Sequence, residues 1–303
     1  TFYASTSNED AFYMPSTDVS KLKLSFTGGS IYNQNMAGTS FTLAPKTPLQ
    51  LTANGSYVLN VKLAYNYLYL MSNGDVKPFS ETTFGGGSLT PIAVVISRSK
   101  HMAVALQNAR NNKVIKYAIY GSNEQQQKKN TYSATSLADA LANSPSGLDE
   151  TWKASCSVDG KIKANEYKCR CVFYAAHYNP GVTYTGPTPL QWYMPSMSDF
   201  NVMLSVLVHH DSPTYNTPTK ILAKAYPDLS DLAFTQVGGR PMNKREDSSD
   251  DGLFWSSTEG VRNTNDYRYQ LVFGHTYDFF HTYNQIVLTF HDSNAKTRPF
   301  VKY

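Results

Sequence analysis

Apolar and polar residues alternate along much of the first quarter of the chain. Residues 21–26 (KLKLSF) put Leu22, Leu24 and Phe26 on one side, the period-2 pattern of a half-buried strand. Gly28-Gly29 marks a turn. Residues 40–43 (SFTL) alternate again and stop at Pro45. Residues 49–51 follow, and Asn54-Gly55, a favoured hairpin pair, leads into a third alternating run over 57–63 (YVLNVKL). Residues 1–20 are polar and aperiodic, as expected of a linking terminus.

Further along, the period changes. Residues 67–71 read as a strand with its turn at 73–75. Residues 91–97 (PIAVVIS) form a short continuous apolar run, typical of a buried strand, and 102–106 can pair back on it across 97–101. Residues 114–120 read as a strand and 121–131 (GSNEQQQKKNT) as an exposed loop. Residues 136–142 predict a short helix capped by Thr135 or Ser136. Residues 164–178 predict a longer one, with Tyr167, Cys171, Tyr174, Ala175 and Tyr178 on one face. A third helix starts at Ser196, with Asp199 three residues on as a variant capping box and Phe200, Met203, Leu204 and Leu207 as its apolar face. Residues 219–228 suggest a fourth. Residues 267–273 and 285–290 then read as antiparallel strands. The pattern predicts an α+β, β-rich chain: β-sandwich-like strands over 1–66, then a domain with three to four helices over 67–303.

Composition narrows the function. Hydrophobic residues make up 41% of the 303 and charged residues only 17%, so the surface is rich in uncharged polar groups, a composition common outside cells. The 22 tyrosines suit strands and half-exposed platforms. The net charge of +4 is mild and no basic stripe exists, which argues against nucleic acid as a partner. No apolar run is long enough to span a bilayer, and no signal peptide stands at Thr1, as in a mature exported chain.

Candidate chemistry is sparse. Cys156, Cys169 and Cys171 allow at most one disulfide, and with His177 they fit no standard zinc spacing. The glycines after Thr83-Phe84 lack the Gly-Lys-Ser/Thr ending of a phosphate loop. His101 falls in a turn. His209 and His210 would point apart on a helix, which suits one metal ion poorly. Asp247, Asp250 and Asp251 in KREDSSDDG could offer calcium oxygen ligands, but their spacing fails the EF-hand pattern. Calcium is thus the one ion worth a test, and no cofactor or metal site is expected. No Ser or Cys sits beside a base in a nucleophile motif, so the chain reads as a non-enzyme.

Two stretches combine bulky aromatics with small hydroxyl residues: Gln191-Trp192-Tyr193-Met194-Pro195-Ser196 and Leu253-Phe254-Trp255-Ser256-Ser257-Thr258-Glu259. Buried Trp and Tyr need partners for their N–H and O–H, which nearby Ser and Thr can supply. With the closing KTRPFVKY, the order WYMPSMSDFNVML, FWSSTEGVRN, TRPF resembles the bacterial DUF1566/FISUMP-type domains over roughly residues 68–303. Those domains look related to the C-type-lectin-like fold and are common in Bacteroidetes surface proteins, some of them fimbrial subunits. The opening strands resemble the second half of a fimbrillin sandwich (Mfa- and FimA-like pilins).

The resemblance implies structural roles for Trp192, Pro195, Trp255, Ser256, Ser257, Thr258, Glu259 and Arg298. It returns the Arg298 strand to the middle of the domain, where Arg298 could meet Glu259. The lectin-like fold is also distantly similar to the formylglycine-generating fold, but the cysteines here fall in or near a predicted helix, so that activity does not carry over. The implied function is a non-enzymatic cell-surface adhesion protein, a fimbrial tip or accessory subunit at the bacterial outer surface. Its partners would be a glycan or a host or bacterial surface protein, together with other fimbrial subunits. Ligand contacts would come from Tyr178, Tyr184, Trp192, Tyr193, Asp250 and Asp251. The alternative is a structural pilus or surface subunit without a ligand. Burial of Trp192, Trp255 and the loop tyrosines would remove the warrant for binding there.

Overall fold

The computed structural model describes residues 17–28, 30–31, 34–35, 37–42, 50–52, 65–117, 129–207, 214–217, 220–224, 227–242, 252–262, 265–272, 283–289 and 294–303. The chain divides into two compact units, Thr1–Leu63 and Ala64–Tyr303. In the first, six short strands among the described residues form three antiparallel pairs nested in sequence. β1 (Thr17–Asp18) pairs with β6 (Gln50–Leu51), β2 (Lys23–Ser25) with β5 (Ser40–Thr42), and β3 (Ser30–Ile31) with β4 (Gln34–Asn35). Asp18 caps a single 3-10 turn by accepting the Ser20 N–H at 2.9 Å. The expected Asn54-Gly55 turn and the strand over 57–63 lie outside the described residues.

The second unit is mixed helix and antiparallel sheet, with five α-helices among the described residues. Its strands in chain order are β7 (Leu68–Met71), β8 (Val76–Pro78), β9 (Pro91–Ser97), β10 (Met102–Ala105), β11 (Ile115–Lys116), β12 (Gln191–Tyr193), β13 (Thr214–Thr217), β14 (Lys220–Lys224), β15 (Leu253–Arg262), β16 (Asn265–Val272), β17 (Tyr283–Thr289), β18 (Asn294–Ala295) and β19 (Phe300–Lys302). The helices are α1 (Leu137–Asn143), α2 (Gly147–Trp152), α3 (Arg170–Ala176), α4 (Met197–Leu207) and α5 (Pro227–Thr235). A six-stranded sheet runs in the order β12-β19-β10-β9-β7-β8, so the last strand of the chain lies inside the sheet, between β12 and β10. A five-stranded sheet runs β13-β14-β17-β16-β15, and β11 pairs with β18.

The six-stranded sheet is covered on both faces, which explains why β9 reads as a continuous apolar run. Strand alternation sends Tyr69, Met71, Val94, Met102, Val104 and Phe300 to one face. There they pack against Leu137, Ala140 and Leu141 of α1, Phe200, Met203 and Leu207 of α4, and Ala233 and Phe234 of α5. Leu70, Ala93, Val95, Ala103, Ala105, Trp192 and Val301 face the other way, beneath Tyr178, Val182, Tyr184 and Leu190. A third cluster joins β11, α3 and Trp255.

Several expectations change. The helix expected over 219–228 is instead strand β14, with α5 starting only at Pro227; an Ile-Leu pair beside Lys serves either period, and pairing of β14 with β17 decides it. The helix expected over 164–178 shrinks to α3, preceded by a 3-10 turn at Lys163–Asn165. Tyr167 falls before the helix and is 49% exposed, so it leaves the predicted buried face, while Cys171 and Ala175 stay buried. All three cysteines are free thiols. Helix α2 was not expected at all. Ser146 caps it by accepting the Asp149 N–H at 3.2 Å, and Asp149 and Glu150 sit in its first turn, where acids are favoured.

Phe300 joins the sheet to the helices: it is fully buried, edge-on to Phe200 at 5.5 Å and to Tyr193 at 6.2 Å. Phe300→Ala is expected to cost about 3–5 kcal/mol. Urea unfolding followed by tryptophan fluorescence measures this, and a loss below 1 kcal/mol would contradict the central position of β19.

Candidate functional site

The two tryptophan stretches and the terminal arginine segment meet inside the second unit. In β15 the pairing with β16 holds at Leu253, Phe254 and Trp255, breaks, and resumes at Glu259. The break falls on Ser256, Ser257 and Thr258, and two of them turn their polar groups to the 194–199 turn. The Ser257 N–H donates to the Pro195 carbonyl at 2.8 Å, and the Thr258 hydroxyl accepts the Met197 N–H at 2.9 Å. All three are at most 2% exposed.

That turn begins α4 as the capping pattern predicts. Ser196 Oγ accepts the Asp199 N–H at 3.3 Å, and Asp199 Oδ2 accepts the Ser196 N–H at 3.0 Å. The same oxygen accepts the Gly147 N–H at 2.7 Å, which ties the start of α2 to the start of α4. Gly147 has to be glycine: a Cβ there would lie 2.0 Å from the Met194 carbonyl oxygen. Burial is the main reason that the Asp199 carboxyl titrates above its ordinary value; the N–H bonds from Ser196 and Gly147 pull the other way. Burial, then the charge of Asp199, pushes the Tyr193 phenol well up.

A buried carboxylate pair lies behind the break. Glu150 accepts the Asn130 side-chain N–H at 2.9 Å and the hydroxyl proton of Ser257. Asn130 also donates to the Ser257 carbonyl at 2.8 Å. Glu259 accepts two backbone N–H groups, from Lys129 at 2.6 Å and Asn130 at 3.0 Å. Lys163 Nζ donates to the carbonyls of Glu150 and Cys156 at 3.2 and 3.1 Å. Glu150, Glu259 and Lys163 are at most 3% exposed. These groups fasten residues 129–130 to β15. Buried carboxylates engaged by several donors inside a closed interior are structural fasteners, not poised acids or bases.

Trp255 and Arg298 complete the junction. The Trp255 indole N–H donates to the Ile115 carbonyl at 2.6 Å, and its ring meets Tyr117 edge-on at 5.5 Å. Arg298 does not pair with Glu259. Its guanidinium donates to four carbonyls: Ala105 at 3.1 Å, Leu106 at 2.8 Å, Arg240 at 2.9 Å and Pro241 at 3.3 Å. It also lies over the Phe234 and Phe254 rings, at 5.0 and 5.9 Å. The expected ion pair fails because Glu259 is already taken by residues 129–130. Burial pushes the Arg298 guanidinium down to about 10, so it remains a cation at neutral pH.

The residues expected to touch a ligand are placed otherwise. Trp192 is 6% exposed and meets Tyr178 edge-on at 4.7 Å. Tyr178 and Tyr184 are half-buried in the same apolar cluster, and burial raises both phenols. Tyr193 is buried on the opposite face of β12. Trp192, Tyr178 and Tyr184 therefore come together, but as the cover of a sheet, with Trp192 turned inward. Asp247, Asp250, Asp251, His209 and His210 lie outside the described residues. No group of three metal-ligating side chains occurs among the described residues, and no described helix is long and apolar enough to cross a membrane.

No family model matches the chain, and a search of curated proteins found no match. A solved structure similar to it is a fimbrial protein from Bacteroides ovatus ATCC 8483, at a TM-score of 0.38 and 11% identity over 90% of this chain. The chain spans 56% of that protein's resolved length.

Two outcomes test the junction. Arg298→Ala leaves four carbonyls without their donor and is expected to cost about 3 kcal/mol or more in urea unfolding. Asp199 gives a pH signature. The unfolded chain ionises near 3.8, while the folded chain keeps the proton to higher pH. Between those values the folded state holds more protons, so this group's contribution to stability falls as pH rises. Asp199→Asn has no such titration, so its stability relative to wild type should improve from pH 4 upward in thermal melts. A difference that does not change with pH would refute this role.

Proposed function

We propose that the chain is a non-enzymatic subunit of a bacterial cell-surface assembly of the fimbrial type, with residues 64–303 as a lectin-like module. The observation that supports this reading is the shared junction of the three motifs. Trp192, Pro195, Trp255, Ser257, Thr258 and Arg298 all act within one interior. Strand β19, which follows Arg298, also lies inside the six-stranded sheet, between β12 and β10.

Between adhesin and structural subunit, the burial of Trp192, Tyr193 and Trp255 favours a structural role for the motif residues. Any ligand is met by other surface. Other fimbrial subunits are the natural neighbours of such a module, and the outer surface its location. Antibody labelling of intact source cells, with immunoblots of mechanically sheared filaments, tests the proposal. The protein is expected on the cell exterior and in the sheared fraction; confinement to the cytoplasm would end this reading.

A further inference from the structure

An aromatic and cationic cluster surrounds α3, whose buried side packs on Trp255. Tyr167 is 49% exposed just before the helix. Its ring stands edge-on to Phe173 at 5.4 Å and to Tyr174 at 6.2 Å, and Phe173 meets Tyr174 at 5.8 Å. The exposed His177 stacks on Phe173 at 4.3 Å, with Nδ1 donating to the Phe173 carbonyl at 2.9 Å. Two guanidiniums complete the group: Arg110 lies over the Tyr174 ring at 5.2 Å and Arg170 over the Tyr167 ring at 5.9 Å.

Among the described residues neither arginine has a carboxylate partner. Glu166, next to Tyr167, makes no ion pair there either. The Tyr174 phenol titrates below its ordinary value, first through the hydrogen bond with Tyr167 and then through Arg170 and Arg110. The backbone that delivers Arg110 is itself unusual. Arg110, Asn111 and Asn112 are consecutive non-glycine residues at φ of 53°, 51° and 65°. Such strain persists only where surrounding structure enforces it, and it gathers at functional positions.

We propose that this cluster binds an anionic saccharide, its ring stacking on the tyrosines and its carboxylate or sulfate held by Arg110 and Arg170. Aromatic faces take the C–H side of a sugar ring, and the planar guanidinium fork takes a planar anion in two parallel hydrogen bonds. Two guanidiniums without a carboxylate partner among the described residues favour an acidic sugar over a neutral one. An acidic peptide is the weaker fit: peptide recognition uses an open sheet edge or a long groove, whereas these residues cluster around one two-turn helix. The inference deepens the surface-subunit reading, on which its biological setting rests, by giving that module a ligand.

The test is calorimetric titration of the purified chain with four probes: trigalacturonate, a sulfated disaccharide, neutral galactotriose and a hexaglutamate peptide. One or both acidic saccharides are expected to bind, more weakly as salt rises, and the tighter one identifies the anion. Arg110→Ala and Tyr167→Ala should each weaken binding tenfold or more without moving the melting temperature. Arg110→Lys keeps the charge without the fork and should fall between. Should either alanine variant lower the melting temperature, Arg170→Gln supplies the same reading. Equal binding of galactotriose or hexaglutamate, no binding of either acidic saccharide, or binding unchanged in the variants would overturn the proposal. Because the titration uses isolated protein, it can fail while surface labelling of cells succeeds, and the reverse.

Discussion

The second unit depends on the interruption of one strand ladder. Where β15 stops pairing with β16, three hydroxyl residues become free to bond elsewhere, and two of them meet the turn that starts α4. A continuous ladder would have used those backbone groups within the five-stranded sheet. Because it breaks, β15 reaches the turn that follows β12 of the six-stranded sheet and, through Ser257 and Glu150, the first turn of the adjoining helix α2, whose start Asp199 ties to α4. The strand irregularity is thus what couples two sheets and two helices, as such features commonly re-aim groups next to important contacts.

This coupling is polar, and most of its buried polar atoms are engaged, the Asn130 Oδ1 and Arg298 Nε atoms excepted. Glu150, Asn130, Glu259, Asp199 and Arg298 would each carry a heavy desolvation penalty if left without partners. Backbone N–H groups meet Glu259 and Asp199, backbone carbonyls meet Arg298, and the Asn130 and Ser257 side chains meet Glu150. Arg298 shows the logic most clearly: four carbonyls from two separate segments converge on one side chain, so a cation does the work of a strand pairing. A network of this kind specifies one arrangement more sharply than apolar contacts of the same area would. It also explains why Ser, Thr and Glu stand beside tryptophans in this part of the chain.

Much of this was legible from residues alone. The β9–β10 hairpin, the Ser136 cap of α1 and the reciprocal Ser196–Asp199 cap follow from local pattern, because each is decided within a few residues. The errors arise where distant contacts decide. Residues 220–224 suit helix or strand, and only β17 settles the matter. Helix α2 hides behind Pro145 and Gly147, which read as loop; its signal was Ser146 followed by Asp149 and Glu150. Glu259 as a partner for Arg298 was a reasonable inference from charge alone. What the pattern does not carry is that backbone groups could satisfy both ions separately.

The same reasoning redirects attention on function. Contacts with a ligand belong on side chains that the fold does not need, since a residue holding two sheets together cannot also adapt to a partner. Trp192 and Trp255 are excluded on that ground, however suggestive their aromatic character. Tyr167, Phe173 and Tyr174 differ in kind. Their rings meet one another and two arginines, Tyr174 also packs on the cluster around Trp255, Tyr167 is half in solvent, and Arg110 comes from a loop held in a costly backbone conformation. Tyr167 escaped notice in the sequence because it shares the helical spacing of Cys171 and Tyr174 and so looked like core. The early end of α3 at its N-terminal side removes Tyr167 from that face, and this one displacement turns a residue of a presumed interior stripe out to solvent, while Cys171 and Ala175 stay buried.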